Sequence, residues 1–181
     1  MIYLASSSPT RAKILKDFNI KFEQISFKFD ESGIKSDSPY TYAYKVANAK
    51  KEQFFKIYKD YDRVLFADSC VVVNNQIFGK AGDDDEAYKM LKAQSDNFSS
   101  VVTTMIFVSK KINFVNSAIT TYKFAKFNDD DLQEYIAKKD YVGKAGAMMI
   151  EGFNKKYIIS QNGLTSTAMG LSAEILKRYL W

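Results

Sequence analysis

Short apolar runs and apolar residues at helical spacing take turns along the first half of the chain. Residues 2–5 read as a strand, 9–18 as a helix stopping near Asn19, 22–27 as a strand, 40–59 as a long helix and 63–73 as a buried strand. In "VVVNNQIF" the run breaks at Asn74 and Asn75, residues that tolerate positive φ, so a tight hairpin is expected there. A helix at 83–93 follows, then two long strands within 98–109 and 112–127 and a helix at 129–138. A glycine-containing loop with short strands spans 143–161, and a last helix spans 171–180. Helices alternating with strands, then a strand-rich middle, predict an α/β fold with a mixed sheet.

The same periodicity exposes a misfit. At about 100° per residue, Ala43, Val46, Ala47, Phe54 and Ile57 share one face of the long helix, with Lys45, Asn48, Glu52, Lys56 and Lys59 opposite. Lys50 falls within the apolar stripe. A buried lysine must either snorkel to water or meet an anion.

Composition narrows the chemistry. The chain of 181 residues contains no histidine, which removes the commonest general base and the commonest zinc ligand together. Carboxylates, lysine, arginine and hydroxyls remain, and any metal should be a hard, oxygen-ligated ion such as Mg²⁺ or Mn²⁺. The single cysteine, Cys70, has no internal disulfide partner. With no apolar run of the roughly 18 residues that span a bilayer, and no signal-peptide pattern, no membrane association and a cytoplasmic location are expected. The net charge of +5 is spread along the chain. That spread, with aromatics mostly at apolar strand and helix positions, argues against a nucleic-acid surface and suits a small, highly charged substrate.

Several stretches could carry chemistry. In "LASSSPTR", Ser8 fits as N-cap and Pro9 as the first helical residue, which puts Arg11 where a capping box would have Glu or Gln. A cation at a helix N-terminus makes sense if an anion lies between the guanidinium, the serine hydroxyls and the helix end; a surface arginine reaching a carboxylate is the alternative. In "VLFADSCVVV", Asp68 interrupts an apolar strand and must be paired, hydrogen-bonded, metal-bound or protonated. If the hairpin register continued, Lys80 in "FGKAG" would lie opposite Ser69, close to Asp68. Asp30 and Glu31 in "KFDES" could join Asp68 in an oxygen cage for Mg²⁺, or be solvated loop acids. Glu151, in "GKAGAMMIEGF", is an acid in an otherwise apolar setting. The acidic runs at 83–86 and 129–131 each open a helix and read as capping rather than metal binding.

Collected in order, "LASSSPTR", "ANAK", "ADS" followed by valines, "GKAG", "KAGAMMIEGF" and "MGLSAE" resemble the motif series of the Maf family of nucleoside triphosphate pyrophosphatases nearly end to end. The resemblance implies an elongated mixed β-sheet flanked by helices, with two lobes around a central cleft as in inosine triphosphate pyrophosphatases, in a single Maf-like domain. It implies hydrolysis of a nucleoside triphosphate to monophosphate and pyrophosphate with a divalent metal. By position, Arg11, Lys50 and Lys80 match phosphate-facing cations, Glu31 a family acid and Asp68 the general base; the mechanism expected on that footing has Glu31 and Asp68 holding the metal, and Ser6 and Ser8 binding phosphate oxygens. Thr10, Ser69 and Glu151 stand where the family has Arg, Thr and Gln, positions linked to base choice, and Ser172 replaces a proline. A homodimer, a division-related protein partner, and a weakly catalytic regulator of cell division are all open under the same resemblance.

Overall fold

The computed structural model describes residues 1–36 and 38–180. Strands β1 (Ile2–Ala5), β2 (Phe22–Ile25), β3 (Val64–Val73), β4 (Gln76–Phe78), β5 (Phe98–Val108), β6 (Asn113–Phe124) and β7 (Ile158–Asn162) alternate with α1 (Pro9–Asp17), α2 (Pro39–Ile57), α3 (Asp84–Gln94), α4 (Asp129–Ala137), α5 (Thr165–Ala168) and α6 (Ala173–Lys177), and a 3₁₀ turn spans Phe153–Tyr157. One sheet has the order β2-β1-β3-β5-β6-β7, with β4 on β3. β1 runs parallel to β2 and β3, while β3–β4 and β6–β7 are antiparallel, giving the expected mixed sheet flanked by helices.

By compactness the chain divides into two units, residues 1–69, 103–118 and 164–181, and residues 70–102 and 119–163. In the first unit the strands bury both faces. Ile2, Leu4, Leu65, Ala67, Met105 and Phe107 pack with Ala12, Ile14 and Leu15 of α1 and Ala173 and Leu176 of α6. Ala5, Val64, Phe66 and Ile106 pack with Ala47 and Phe54 of α2. Period-two alternation therefore sends odd positions of β3 toward α1 and even ones toward α2. Phe54 anchors α2 through ring contacts with Phe27, Phe55, Tyr58, Tyr61 and Phe66. Such pairs contribute about 0.5–1.5 kcal/mol each beyond area burial.

Both prolines of the chain open helices, behind serine N-caps at Ser8 and Ser38. The acidic runs behave as capping residues with one adjustment. Asp83 caps α3 by accepting from Glu86 N–H, but Asn128, not an aspartate, caps α4, accepting from Asp130 and Asp131. The freed acids pair outward: Asp129 with Lys92, Asp131 with Lys156 and Asp84 with Lys139.

Elsewhere the expectations need correction. Strand β2 stops at Ile25 rather than Phe27. Ile57, expected on the buried stripe, is 64% exposed in the last turn of α2. Residues 143–152 form turns, with no strand until β7. The final helix shrinks to α6, preceded by α5, which is too short to leave a periodic signature. At its entry the Ser172 hydroxyl makes no capping bond and pairs with Thr167 Oγ1 at 2.8 Å.

Candidate active site

The parallel strands position the site. With Tyr3 opposite Val64 and Leu4 opposite Leu65, β1 ends at Ala5 while β3 continues, so Asp68 and Ser69 run past the C-terminal end of β1. The carboxyl ends of parallel strands are where open α/β sheets hold ligands. Alternation then divides the two residues, Asp68 toward α2 and Ser69 toward α1.

Lys50 stands one helical turn before Phe54, which aims it at the sheet. Its Nζ meets Asp68 Oδ1 at 2.6 Å, with side-chain exposures of 17% and 14%. It also lies 5.0 Å from the centroid of the Phe29 ring, a cation–π contact. The lysine thus meets an anion rather than snorkelling. Burial pushes its pKa below the ordinary lysine value, Asp68 opposes that shift, and the positive charge of Arg11 adds to it. Asp68 Oδ2 has no hydrogen-bond partner among the described residues.

Arg11 does not reach for a carboxylate. Its Nε donates to Gly170 O at 2.9 Å, Nη1 to Ser6 Oγ at 3.2 Å and Nη2 to Ser69 Oγ at 3.3 Å. All three acceptors are neutral, and burial lowers its pKa, with Asp68 opposing. Three of its five N–H groups are used, leaving two. Gly170 adopts φ +108°, and a Cβ there would lie 3.4 Å from Ser69 Oγ and 3.5 Å from Arg11 Nε. Those are ordinary contact distances, so it is the positive φ that favours glycine here.

The serines of the first loop complete the edge. Ser6 Oγ accepts from Ser8 N–H and Arg11 Nη1, both at 3.2 Å, which fills its lone pairs. Ser8 Oγ accepts from Arg11 N–H at 3.3 Å. Neither hydroxyl proton has an acceptor among the described residues, so both remain as donors. Thr10 is half-buried in the first turn of α1.

The two neighbouring acids separate in role. Asp30 Oδ1 accepts from Ser32 N–H at 2.8 Å, and the Ser32 side chain together with this backbone donor lowers its pKa. Gln53 brackets the Asp30 backbone, accepting from its N–H at 3.0 Å and donating to its carbonyl at 2.7 Å, and so ties this loop to α2. Glu31 follows, exposed, and helps to hold the Lys50 proton.

Lys80 and Glu151 belong to the second unit. The hairpin turns at Asn74 and Asn75 as expected, with φ of 49° and 62°. Its ladder, however, ends at Val71 opposite Phe78. Lys80 instead bridges Ala145, and Gly146 N–H donates to Gly79 O at 2.7 Å, so the expected Ser69–Lys80 pairing is replaced. The tetrapeptide G-K-A-G occurs twice, at 79–82 and 143–146, and these two copies are what pair. Gly146 (φ +60°) approaches β3 so closely that a Cβ would lie 2.7 Å from Val71 Cβ. Glu151 is exposed in a turn, not in an apolar setting, because Gly152 and the 3₁₀ turn lift it out between buried Ile150 and Asn154.

Gly170, Thr103, Gln53 and Phe29 were not legible as site residues. Only Gly170 had a local signal, the "MGLSAE" stretch. Among the described residues no group of three or more Cys, Asp or Glu side chains could hold a metal ion.

Comparisons with known proteins agree along the whole length. A nucleoside triphosphate pyrophosphatase of Campylobacter jejuni subsp. jejuni (strain 81-176) is 39% identical over 183 residues, covering 99% of this chain and 100% of that one. One from a Nitratiruptor species is 41% identical over 178 residues, covering 97% and 96%. One from Helicobacter pylori (strain G27) is 30% identical over 173 residues, covering 96% and 91%. The solved Ham1 protein of Staphylococcus aureus overlaps 68% of this chain and 71% of its own at TM-score 0.47 and 16% identity, too loosely to bear on the site. The family profile described as Maf-like protein matches residues 1–181, and the chain belongs to that family.

Proposed function

We propose that this protein is a nucleoside triphosphate pyrophosphatase that hydrolyses its substrate to nucleoside monophosphate and pyrophosphate. The observation that carries the reading is the imbalance of charge around Asp68. Two partly buried cations, Arg11 and Lys50, face a single partly buried carboxylate, and Arg11 is held only by neutral oxygens. Holding a desolvated guanidinium without a carboxylate bonded to it is costly unless an anion arrives. A triphosphate supplies that anion, with Ser6, Ser8 and the N-terminus of α1 donating to its oxygens.

Phosphoanhydride hydrolysis needs charge neutralisation and a positioned water more than covalent chemistry. In this reading Asp68 takes the proton of the water that attacks the α-phosphorus, the bond from that phosphorus to the oxygen bridging to the β-phosphorus breaks, and pyrophosphate leaves. Lys50 fixes one carboxylate oxygen, leaving Oδ2 to meet the water or an ion. Glu31 and Asp68 are the residues that would hold Mg²⁺ or Mn²⁺, which when bound neutralises phosphate charge. Glu151 gives the base preference. An ionised carboxylate only accepts, which suits the N1–H and N2–H₂ edge of a guanine-type or modified purine better than a pyrimidine edge.

A release assay over normal and modified triphosphates, with Mg²⁺ and with Mn²⁺, tests the proposal. Equimolar pyrophosphate and nucleoside monophosphate are expected, with purines preferred and the preference shifted in Glu151→Gln. No pyrophosphate from any triphosphate with either metal would overturn it.

A further inference from the structure

The hydroxyls behind Arg11 differ in the direction their protons must point. Thr103, fully buried on β5, donates its only O–H to the main-chain oxygen of Thr167 at 2.7 Å. The 2.8 Å contact between Ser69 Oγ and Thr103 Oγ1 must then have Ser69 as donor, because Thr103 has no second proton. With its own O–H committed inward, Ser69 has only a lone pair left for Arg11 Nη2. The bonds run one way, from Arg11 N–H to Ser69 O–H to Thr103 O–H to Thr167 C=O, and each polarises the next. The chain closes on itself: Thr167 O also accepts from Gly170 N–H at 3.0 Å, and Gly170 O holds Arg11 Nε.

We infer that Ser69 and Thr103 are positioning residues, which fix the guanidinium plane of Arg11 so that its two uncommitted N–H groups meet the triphosphate. With its proton committed to Thr103, Ser69 donates nothing to substrate and acts through Arg11 on the affinity for the phosphate tail. The inference rests on the reading of Arg11 as a phosphate ligand. It extends the site to a strand and a turn remote in sequence, since Gly170 is 159 residues from Arg11.

Kinetics on Thr103→Val, an isosteric change that removes the hydroxyl, test it. KM should rise about tenfold, the scale of one misaligned charge-assisted hydrogen bond, by the same factor for every triphosphate and with kcat changed less. Thr103→Ser should restore KM, and in an Arg11→Ala background Thr103→Val should add nothing. Ser69→Ala, at a partly exposed position, should give the same pattern and serves if Thr103→Val does not fold by thermal unfolding. A KM change below twofold, a changed order of base preference, or an undiminished effect in the Arg11→Ala background overturns the positioning role while leaving the pyrophosphatase reading intact. An Arg11→Ala protein with unaltered KM removes Arg11 from phosphate binding, and this inference falls with it.

Discussion

Asp68→Asn probes the site at its centre. The substitution keeps the shape and the Oδ1 acceptor for Lys50 but removes the charge and the basicity. Hydrogen bonds to charged groups contribute about 1.5–3 kcal/mol, and charge-assisted bonds are roughly twice as strong as neutral ones. At side-chain exposures of 17% and 14% water screens the pair little. Half of that contribution, about 0.8–1.5 kcal/mol, should therefore be lost, a fall in Tm of about 2–6 °C for a chain of this size. The effect on chemistry is larger. Loss of a general base lowers turnover by about 10²- to 10⁴-fold, or about 3–5 kcal/mol in the barrier. Binding should move the other way, because a carboxylate that repels the phosphates has gone while Arg11 and Lys50 remain. Pyrophosphate release, thermal unfolding, and calorimetric binding of a non-hydrolysable triphosphate without metal measure the three quantities. Turnover within about tenfold of the parent in a folded variant refutes the base assignment. Loss of binding in step with turnover would show that Asp68 shapes the site rather than acting in it.

Gly170→Ala forces a side chain into a positive-φ position beside Arg11 and Ser69; a cost of about 1–3 kcal/mol is expected, read as a lower Tm together with a raised KM. Asn128→Ala removes the cap of α4 and should cost about 1 kcal/mol in denaturant unfolding. Asp129→Asn, which breaks only an exposed pair with Lys92, should be near neutral. Tyr141 donates to Asp84 Oδ1 at 2.5 Å, and that bond raises its pKa from 10.0 to about 12. Between those values the unfolded chain loses the proton first, so the stability from this group is full below pH 10.0 and lost as pH rises towards about 12. Tyr141→Phe should remove that part of the slope in alkaline unfolding curves.

What could be read from the sequence was what broke a local rule. Lys50 violated an apolar stripe, Asp68 an apolar strand, and Arg11 the charge preference of a helix N-terminus, and the structure brings these three together. The partners that hold them were illegible because they are distant. Nothing near Arg11 points to Thr103 or Gly170, and neither residue breaks a rule of its own. The expected partner of Lys80 was wrong because a register rule assumes that the ladder continues. The second G-K-A-G segment competes for the same backbone groups after Phe78. Ile57 fitted the helical period but lies in the final turn of α2, so period alone could not tell that it is exposed.

Asp68 and Ser69 are consecutive residues facing opposite sides of one sheet, and this sets how the chain tolerates changes of length. Inserting or deleting a single residue between Val64 and Asp68 would exchange the two faces, handing the acid to α1 and the hydroxyl to α2. In β3 even a one-codon indel would therefore be expected to abolish function.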